Sequence, residues 1–170
     1  MTLDIYTDGA HSSATNFGGW AIVYTCGNSI NSYSGYEYDT TNNRMELTAV
    51  IKALQLLKAN PNNAIIYTDS AYIANCMSQR WYINWANNGW RTAKKTPVLN
   101  QDLWNELLNL YHYVNLGATV EIKKVQGHSG EKLNELADYY AVKAREQGAK
   151  ENEHTTQTTS NTYTYTNSSS

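Results

Sequence analysis

Two aspartates occupy equivalent places in the sequence, each directly after an apolar strand. Asp8 ends Tyr6-Thr7-Asp8, and Asp69 ends Tyr67-Thr68-Asp69. The carboxyl ends of neighbouring parallel strands open onto a common crevice, where α/β sheets bind their ligands. Taken singly, Asp8 is typical of a turn and Asp69 of a helix N-cap. Together they predict two carboxylates at one edge of a sheet, and both alternatives stay open.

Two more acidic residues, Glu46 and Asp138, lie on predicted helices. Glu46 is in the middle of an apolar stripe formed by Ala49, Val50, Ala53 and Leu57. A carboxylate on a core-facing stripe is costly unless it is paired or bound to a metal. The alternative is that Glu46 is the capping-box partner of Asn43. Asp138 follows Asn134 by one turn at the edge of another apolar stripe, where a solvated side chain is the ordinary alternative.

These four carboxylates predict a metal site if the fold brings them together. Carboxylates at close range repel one another, and their pKa values rise unless cations lie among them. Oxygen ligands without His or Cys favour Mg²⁺ or Mn²⁺ over Zn²⁺. Two such ions about 4 Å apart promote in-line displacement at phosphorus. His128, in a glycine-flanked loop, is a further candidate, although most single loop histidines are only exposed polar side chains.

The composition is that of one globular domain. The chain has 170 residues, of which 41% are hydrophobic and 16% charged. No stretch approaches the roughly 18 apolar residues of a membrane span, and the first residues are typical of a strand and not of a signal peptide. Cys26 and Cys76 stand alone, which predicts reduced thiols in a cytoplasmic protein. We expect a monomer with no membrane association and no obligate protein partner.

The charge distribution is more informative than the net charge of −2, which by itself does not support nucleic-acid binding. The stretch from Ser70 to Gln101 contains no Asp or Glu, yet it carries four cations: Arg80, Arg91, Lys94 and Lys95. A locally positive segment can hold a polyanion on one face of an otherwise acidic protein.

The apolar pattern predicts elements in the order β-β-β-α-β-α-α-α-β-α. Three strands separated by Gly and Asn turns precede a helix from about Asn43 to Ala59. Three antiparallel strands, joined by α-crossovers to two more, predict an α/β fold with a five-stranded mixed sheet and helices on both faces. The last helix is predicted to end near Gln147. Residues 1–147 are then one domain, and residues 148–170, dominated by Thr, Ser and Asn, a disordered tail.

Several short motifs are spread over the folded part of the chain, from Leu3 to about Arg145. They are Tyr6-Thr7-Asp8-Gly9, Thr40-Thr41-Asn42-Asn43-Arg44-Met45-Glu46-Leu47, Thr68-Asp69-Ser70, Gly89-Trp90-Arg91-Thr92-Ala93, Asn100-Gln101-Asp102-Leu103-Trp104, Val125-Gln126-Gly127-His128-Ser129-Gly130 and Asn134-Glu135-Leu136-Ala137-Asp138. In these motifs the chain resembles the type 1 ribonucleases H, most closely the bacterial cellular enzymes. The resemblance implies a ribonuclease H-like fold and hydrolysis of the RNA strand of RNA/DNA hybrids. It also implies two Mg²⁺ ions, with Mn²⁺ as a substitute, and products with 3′-hydroxyl and 5′-phosphate ends.

The resemblance also implies roles for individual positions. Four residues match the family's metal-binding carboxylates: Asp8, Glu46, Asp69 and Asp138. His128 matches a histidine that assists proton transfer or product release. The matches to substrate contacts are Thr41 at a DNA phosphate, Asn42 and Asn43 in the minor groove, and Asn134 near the 2′-hydroxyls of the RNA strand. The 2′-hydroxyl is the group that distinguishes RNA from DNA.

Residues 80–95 match the family's basic protrusion, which grips the DNA strand through cations and tryptophans. The candidate contacts are Trp81, Trp85, Trp90, Arg91, Lys94 and Lys95, although the tryptophans could equally form a hydrophobic cluster. Ala86-Asn87-Asn88 stands where the bacterial enzymes tend to carry basic residues, which predicts weaker binding and a shallower salt dependence. The loop after Asp8 also departs from the family, and Asn16 is a shifted substitute for its asparagine.

Two alternative functions stay open. A catalytically weak hybrid-binding module would hold the hybrid without cleaving it, although such a module has no need of a repulsive carboxylate cluster. A purely structural α/β domain would pair Glu46 with a buried Arg or Lys and bind no metal.

Overall fold

The computed structural model describes residues 2–126 and 132–169, with side chains described as far as residue 153. The elements are β1 (Thr2–His11), β2 (Phe17–Cys26), β3 (Ser29–Tyr38), α1 (Asn42–Ala59), β4 (Asn63–Thr68), α2 (Ala71–Gln79), α3 (Trp81–Asn87), α4 (Gln101–Val114), β5 (Val120–Lys124) and α5 (Lys132–Ser169). This is the predicted order. Within the described residues, no helix is long and apolar enough to cross a membrane.

The strands form one mixed sheet in the order β3-β2-β1-β4-β5. The pairs β1–β2 and β2–β3 are antiparallel, whereas β1–β4 and β4–β5 are parallel. Parallel neighbours need a crossover, and α1 connects the first hairpins to β4 while the segment from α2 to α4 connects β4 to β5. The predicted five-stranded mixed sheet is confirmed.

Helices cover both faces of the sheet. On one face, the buried residues of α1 and α4 pack against side chains from four strands, among them Ile5, Ile22, Ile66 and Ile122. On the other face, α5 packs through Ala137 and Ala141 against β1 and β2. Residues on one strand alternate between these faces because successive side chains point in opposite directions.

The first strand and the helix of the protrusion end at different residues from those that the sequence predicts. β1 does not end before Asp8 but continues to His11, because β2 pairs with it as far as Gly18. Residues 81–90 have a sequence that predicts a helix, but α3 ends at Asn87. The chain turns there through Gly89 and Trp90, both with positive φ, and Arg91 then pairs with Pro97.

The predicted end of the last helix at Gln147 is wrong, because α5 extends to Ser169. Its continuation is anchored on the sheet. A Cβ at Gly148 would lie within 3 Å of the rings of Tyr36 and Phe17, and the Tyr36 hydroxyl donates a hydrogen bond to Glu151. The division into a domain of residues 1–147 and a disordered tail stays a prediction. The contacts of Gly148 and Glu151 show that the part of α5 packed on the sheet continues at least to Glu151.

Candidate active site

The carboxylate site lies where β1 and β4 stop pairing. Their parallel register ends at Tyr6 and Tyr67, whose rings stack with centroids 4.7 Å apart. The Thr7 hydroxyl donates to the Tyr67 carbonyl oxygen at 2.7 Å, which ties the strands together just before they separate. Asp8 and Asp69 each lie two residues after this last pair, one on each strand. The fold therefore places them at the same opening, as the sequence predicted.

Gly9 brings the first turn of α1 against Asp8. A Cβ at Gly9 would lie 2.5 Å from the backbone of Met45 and Glu46, so only glycine permits this approach. Glu46 is thereby held beside Asp8, with 6% of its surface exposed against 4% for Asp8. Two buried carboxylates on different elements face each other as a result.

The two structural alternatives for Glu46 are not supported. The helix N-cap is Thr41, not Asn43, and its hydroxyl accepts from the Arg44 N–H at 3.1 Å, so Glu46 is not a capping-box partner. Across the residues that the structure describes, no salt bridge engages Glu46, and its Oε2 is buried without a hydrogen-bond partner. A buried Arg or Lys does not compensate this charge.

Mutual repulsion and burial shift the acidity of the site. Burial, followed by the charge of Glu46 and its hydrogen bond, raises the pKa of Asp8 to about 10, with Asp69 and Asp138 adding to the effect. Burial raises the pKa of Glu46 to about 7 against the lowering effect of its hydrogen bond to Asp8. Burial and the charge of Asp138 also raise the pKa of Asp69. Glu46, Asp69 and Asp138 therefore all act on Asp8.

The donor set fits a hard divalent cation. It consists of carboxylate oxygens alone, and the Oε2 of buried Glu46, which has no hydrogen-bond partner in the described part of the chain, can serve as a ligand atom. Asp69 and Asp138 are exposed. In the described ranges, no three acidic, His or Cys side chains are already close enough to hold an ion. Because Asp69 and Asp138 are exposed, their side chains are free to adjust to an ion.

The last helix supplies Asp138 and Asn134. α5 lies so close to β2 that a Cβ on Gly19 would be 2.7 Å from the Arg145 nitrogen and closer still to the Ala141 carbonyl oxygen. One turn before Asp138, the Oδ1 atom of Asn134 is buried and has no hydrogen-bond partner among the residues that the structure describes. His128 lies outside the residues that the structure describes.

The predicted contacts at the start of α1 are exposed and lie next to an ion pair that the sequence did not reveal. Thr41, Asn42 and Asn43 lie at the surface. Next to them, Arg44 donates to both carboxylate oxygens of Asp102 at 2.8 and 3.0 Å and to Asn100 Oδ1 at 3.2 Å. Because the partners are 58 residues apart, no local pattern signals the pair.

The Arg44–Asp102 pair is expected to contribute little but measurable stability. A bidentate surface pair should show a coupling of about 0.5–1 kcal/mol. Arg44 lowers the pKa of Asp102 through its hydrogen bonds, so this stability is present at neutral pH and is lost as pH falls below about 4. Urea unfolding of Arg44→Met, Asp102→Asn and the double variant at pH 7 and pH 3 measures the coupling. A coupling that is absent at pH 7, or stronger at pH 3, contradicts the expectation.

The tryptophans of the protrusion do not all face solvent. Trp85 is 7% exposed, and its ring packs edge-on against Trp104 with centroids 5.5 Å apart. At Trp85 the structure therefore favours the hydrophobic-cluster alternative over a substrate contact. Trp81 and Trp90 are half-buried, whereas Arg91, Lys94 and Lys95 are exposed. The three cations remain accessible, and Arg91 also donates to the Lys95 carbonyl oxygen at 3.0 Å.

Asn16 holds the loop after β1 in place. Its Oδ1 lies 3.1 Å from His11 Nε2, and its amide nitrogen donates to Asp39 at 3.1 Å. A positive φ of 62° places it in the left-handed region that Asn tolerates. These bonds give Asn16 a structural role in the loop.

A mixed sheet of this topology, with carboxylates where β1 and β4 separate, defines a ribonuclease H-like α/β fold. Residues 1–146 match the model of the RNase H family. The ribonuclease H of Chlorobaculum parvum is 45% identical over 140 residues, which cover 82% of this chain and 92% of that protein. The ribonuclease H of Moorella thermoacetica is 47% identical over 137 residues, covering 81% and 87%. The chain belongs to the RNase H family, and the predicted likeness to bacterial type 1 enzymes is confirmed.

Solved structures agree with this assignment. The RNase H domain of PFV, known from a solution structure, superposes with a TM-score of 0.68 at 26% identity, covering 84% of this chain and 93% of that one. A foamy viral protease-reverse transcriptase in complex with dsDNA gives a TM-score of 0.73 at 23% identity, covering 85% and 94%. At that identity the likeness shows the fold alone.

Proposed function

We propose that this protein is an endonuclease that hydrolyses the RNA strand of RNA/DNA hybrids, leaving 3′-hydroxyl and 5′-phosphate ends. The observation that carries the proposal is the pair of buried carboxylates, Asp8 and Glu46, in an RNase H chain. They face each other, and no salt bridge among the described residues supplies either with a cation. Such a pair is unfavourable in the protein alone and becomes favourable when a cation binds.

Asp8, Glu46, Asp69 and Asp138 would hold two Mg²⁺ ions, with Mn²⁺ as a substitute. When bound, such ions activate a water and stabilise the charge on the leaving oxygen. The protein contributes a rigid part and an adjustable part to the site. Asp8 and Glu46 are fixed by the contact at Gly9, whereas exposed Asp69 and Asp138 can adjust to the ions and the substrate.

Three groups of residues position the hybrid in this proposal. The buried Oδ1 of Asn134 has no hydrogen-bond partner among the described residues; once exposed by a small movement of the side chain, it can accept from a 2′-hydroxyl, which DNA lacks. The exposed start of α1 offers Thr41 to a DNA phosphate and the amides of Asn42 and Asn43 to the minor groove. The protrusion offers the exposed cations Arg91, Lys94 and Lys95 to the DNA strand, with the half-buried rings of Trp81 and Trp90 beside them.

His128 completes the proposed chemistry as the group that assists proton transfer or product release. An imidazole suits this task because its pKa lies close to neutral pH. We further propose that the protein acts as a monomer in the cytoplasm.

A catalytically weak hybrid-binding module is the second candidate. Its carboxylate cluster would lower stability without serving binding, since carboxylates repel the phosphate backbone. The accessible cations of the protrusion would serve a nuclease and a binding module equally well. Only a measurement of cleavage distinguishes the two functions.

A cleavage assay tests the proposal. RNA labelled at its 5′ end is incubated as a hybrid, as an RNA duplex and as a single strand, each with Mg²⁺, Mn²⁺ or chelator. We expect cleavage of the hybrid alone, and no cleavage in the presence of chelator. The downstream RNA fragment should be a substrate for ligation, and removal of its 5′-phosphate by a phosphatase should prevent that ligation. A hybrid that is bound and stays uncut with both metals would establish the binding module instead.

A further inference from the structure

A lysine at the end of β5 lies next to the carboxylate site. In the parallel register of β4 and β5, Lys124 is opposite Thr68, the residue directly before Asp69. The Val125 N–H donates to the Thr68 carbonyl oxygen at 2.9 Å, so the strands remain joined at this point. Lys124 is exposed at the end of β5, beside the end of β4 that leads into Asp69.

The alternation of β5 separates Lys124 from its neighbour Lys123. Val120 and Ile122 are buried in the core on the α1 face, and Lys124 shares their side of the strand. Lys123 is on the other side, where its Nζ lies 3.2 Å from Glu121. In the described parts of the chain, no salt bridge involves Lys124.

The charge of Lys124 acts on the site. Burial and the charge of Asp138 raise the pKa of Asp69, and the charge of Lys124 acts in the opposite direction. An ammonium group so placed has two competing partners, the Asp69 carboxylate and any phosphate that enters the opening. Asp69, in turn, is shared between Lys124 and a metal ion.

We propose that Lys124 is a substrate-binding residue that holds a backbone phosphate of the hybrid beside Asp69 and, in the free protein, opposes metal binding there. The proposal rests on the proposed function. A phosphate that binds the ammonium neutralises its charge beside Asp69, so substrate and metal assist each other's binding. None of the family motifs in this chain includes Lys124.

Hybrid binding distinguishes Lys124 from its neighbour. Fluorescence anisotropy with a labelled RNA/DNA hybrid, in chelator and at increasing KCl, is compared for the full-length protein, Lys124→Met and the matched control Lys123→Met. One lost phosphate contact should weaken binding roughly 3- to 10-fold and reduce the slope of log K against log salt by about one. Lys124→Arg should retain the affinity. Equal losses in Lys124→Met and Lys123→Met would overturn the proposal.

Metal binding supplies an independent test of opposite sign. Titration calorimetry of Mn²⁺ into hybrid-free protein should show tighter binding to Lys124→Met than to the wild type, while Lys123→Met stays unchanged. Unchanged or weaker Mn²⁺ binding by Lys124→Met would contradict the competition for Asp69. Absence of cleavage by the wild type would overturn the proposed function instead, and neither binding measurement depends on cleavage.

Discussion

Asp8→Asn is expected to abolish cleavage of an RNA/DNA hybrid while the protein stays folded. The substitution keeps the shape of the side chain and removes the charge that the metal ions need. Metal ions supply several kcal/mol of transition-state stabilisation, so the loss should be at least about 10³-fold in kcat. Single-turnover cleavage assays with Mg²⁺ measure the loss, and circular dichroism monitors the fold.

Asp4→Asn is the matched control, because Asp4 is exposed on the same strand. It should cleave at the wild-type rate. If Asp8→Asn retained more than a tenth of the activity, the assignment of Asp8 as a metal ligand would be wrong.

The same substitution should stabilise the metal-free protein. Burial and Glu46 raise the pKa of Asp8 from 3.8 to about 10, so the folded state binds a proton more tightly than the unfolded chain. The contribution of the protonated Asp8 carboxyl to the free energy of unfolding is therefore complete below about pH 4 and declines as the pH rises towards 10. At pH 8 in chelator, Asp8→Asn should gain about 1–2 kcal/mol, within the range of single substitutions.

Urea unfolding between pH 5 and pH 9, in chelator, tests this expectation. The wild type should lose stability as pH increases, and Asp8→Asn should lose less. Saturating Mn²⁺ should narrow the difference, since cations compensate the carboxylates of the wild type. A wild type that gains stability from pH 5 to pH 9 would contradict the repulsion between Asp8 and Glu46.

Gly19→Ala is expected to have the largest effect on stability. The new Cβ would meet the Ala141 carbonyl oxygen and lie 2.7 Å from the Arg145 nitrogen, both backbone atoms of α5. Backbone cannot move aside without shifting the helix, so overpacking should cost about 3 kcal/mol or more. Because α5 also carries Asp138, cleavage by the folded fraction should fall as well. Urea unfolding and cleavage assays measure the two effects.

Gly117→Ala is the control for this substitution. A Cβ at Gly117 has no neighbour within 4 Å, and stability should change by less than about 0.5 kcal/mol. Equal stability of the Gly19 and Gly117 variants would show that α5 does not lie as close to β2 as the structure places it.

Much of the fold follows from local patterns in the sequence. Alternating apolar residues predict the strands, and the helical stripe of α1 predicts that Glu46 faces the sheet, which its burial confirms. The repeated Tyr-Thr-Asp predicts that Asp8 and Asp69 meet at one opening. These inferences succeed because side-chain direction depends on the local backbone period alone.

The sequence did not indicate several details that depend on packing. Periodicity did not show that β1 continues past Asp8, that Thr41 caps α1, or that Trp85 is buried against Trp104. Each depends on a neighbour that another element supplies. A local pattern indicates which way a side chain points but not what it meets there.

The sequence by itself determined the order of the elements, the class of the sheet and the set of acidic residues. Only the tertiary structure decided which charges are compensated. Within the described residues it pairs Arg44 with Asp102, places Lys124 beside the residue before Asp69, and gives buried Glu46 no salt bridge. The physical reason is that charge interactions depend on distance and burial, and both are set by close contacts between distant segments, such as Gly9 against α1 and Gly19 against α5.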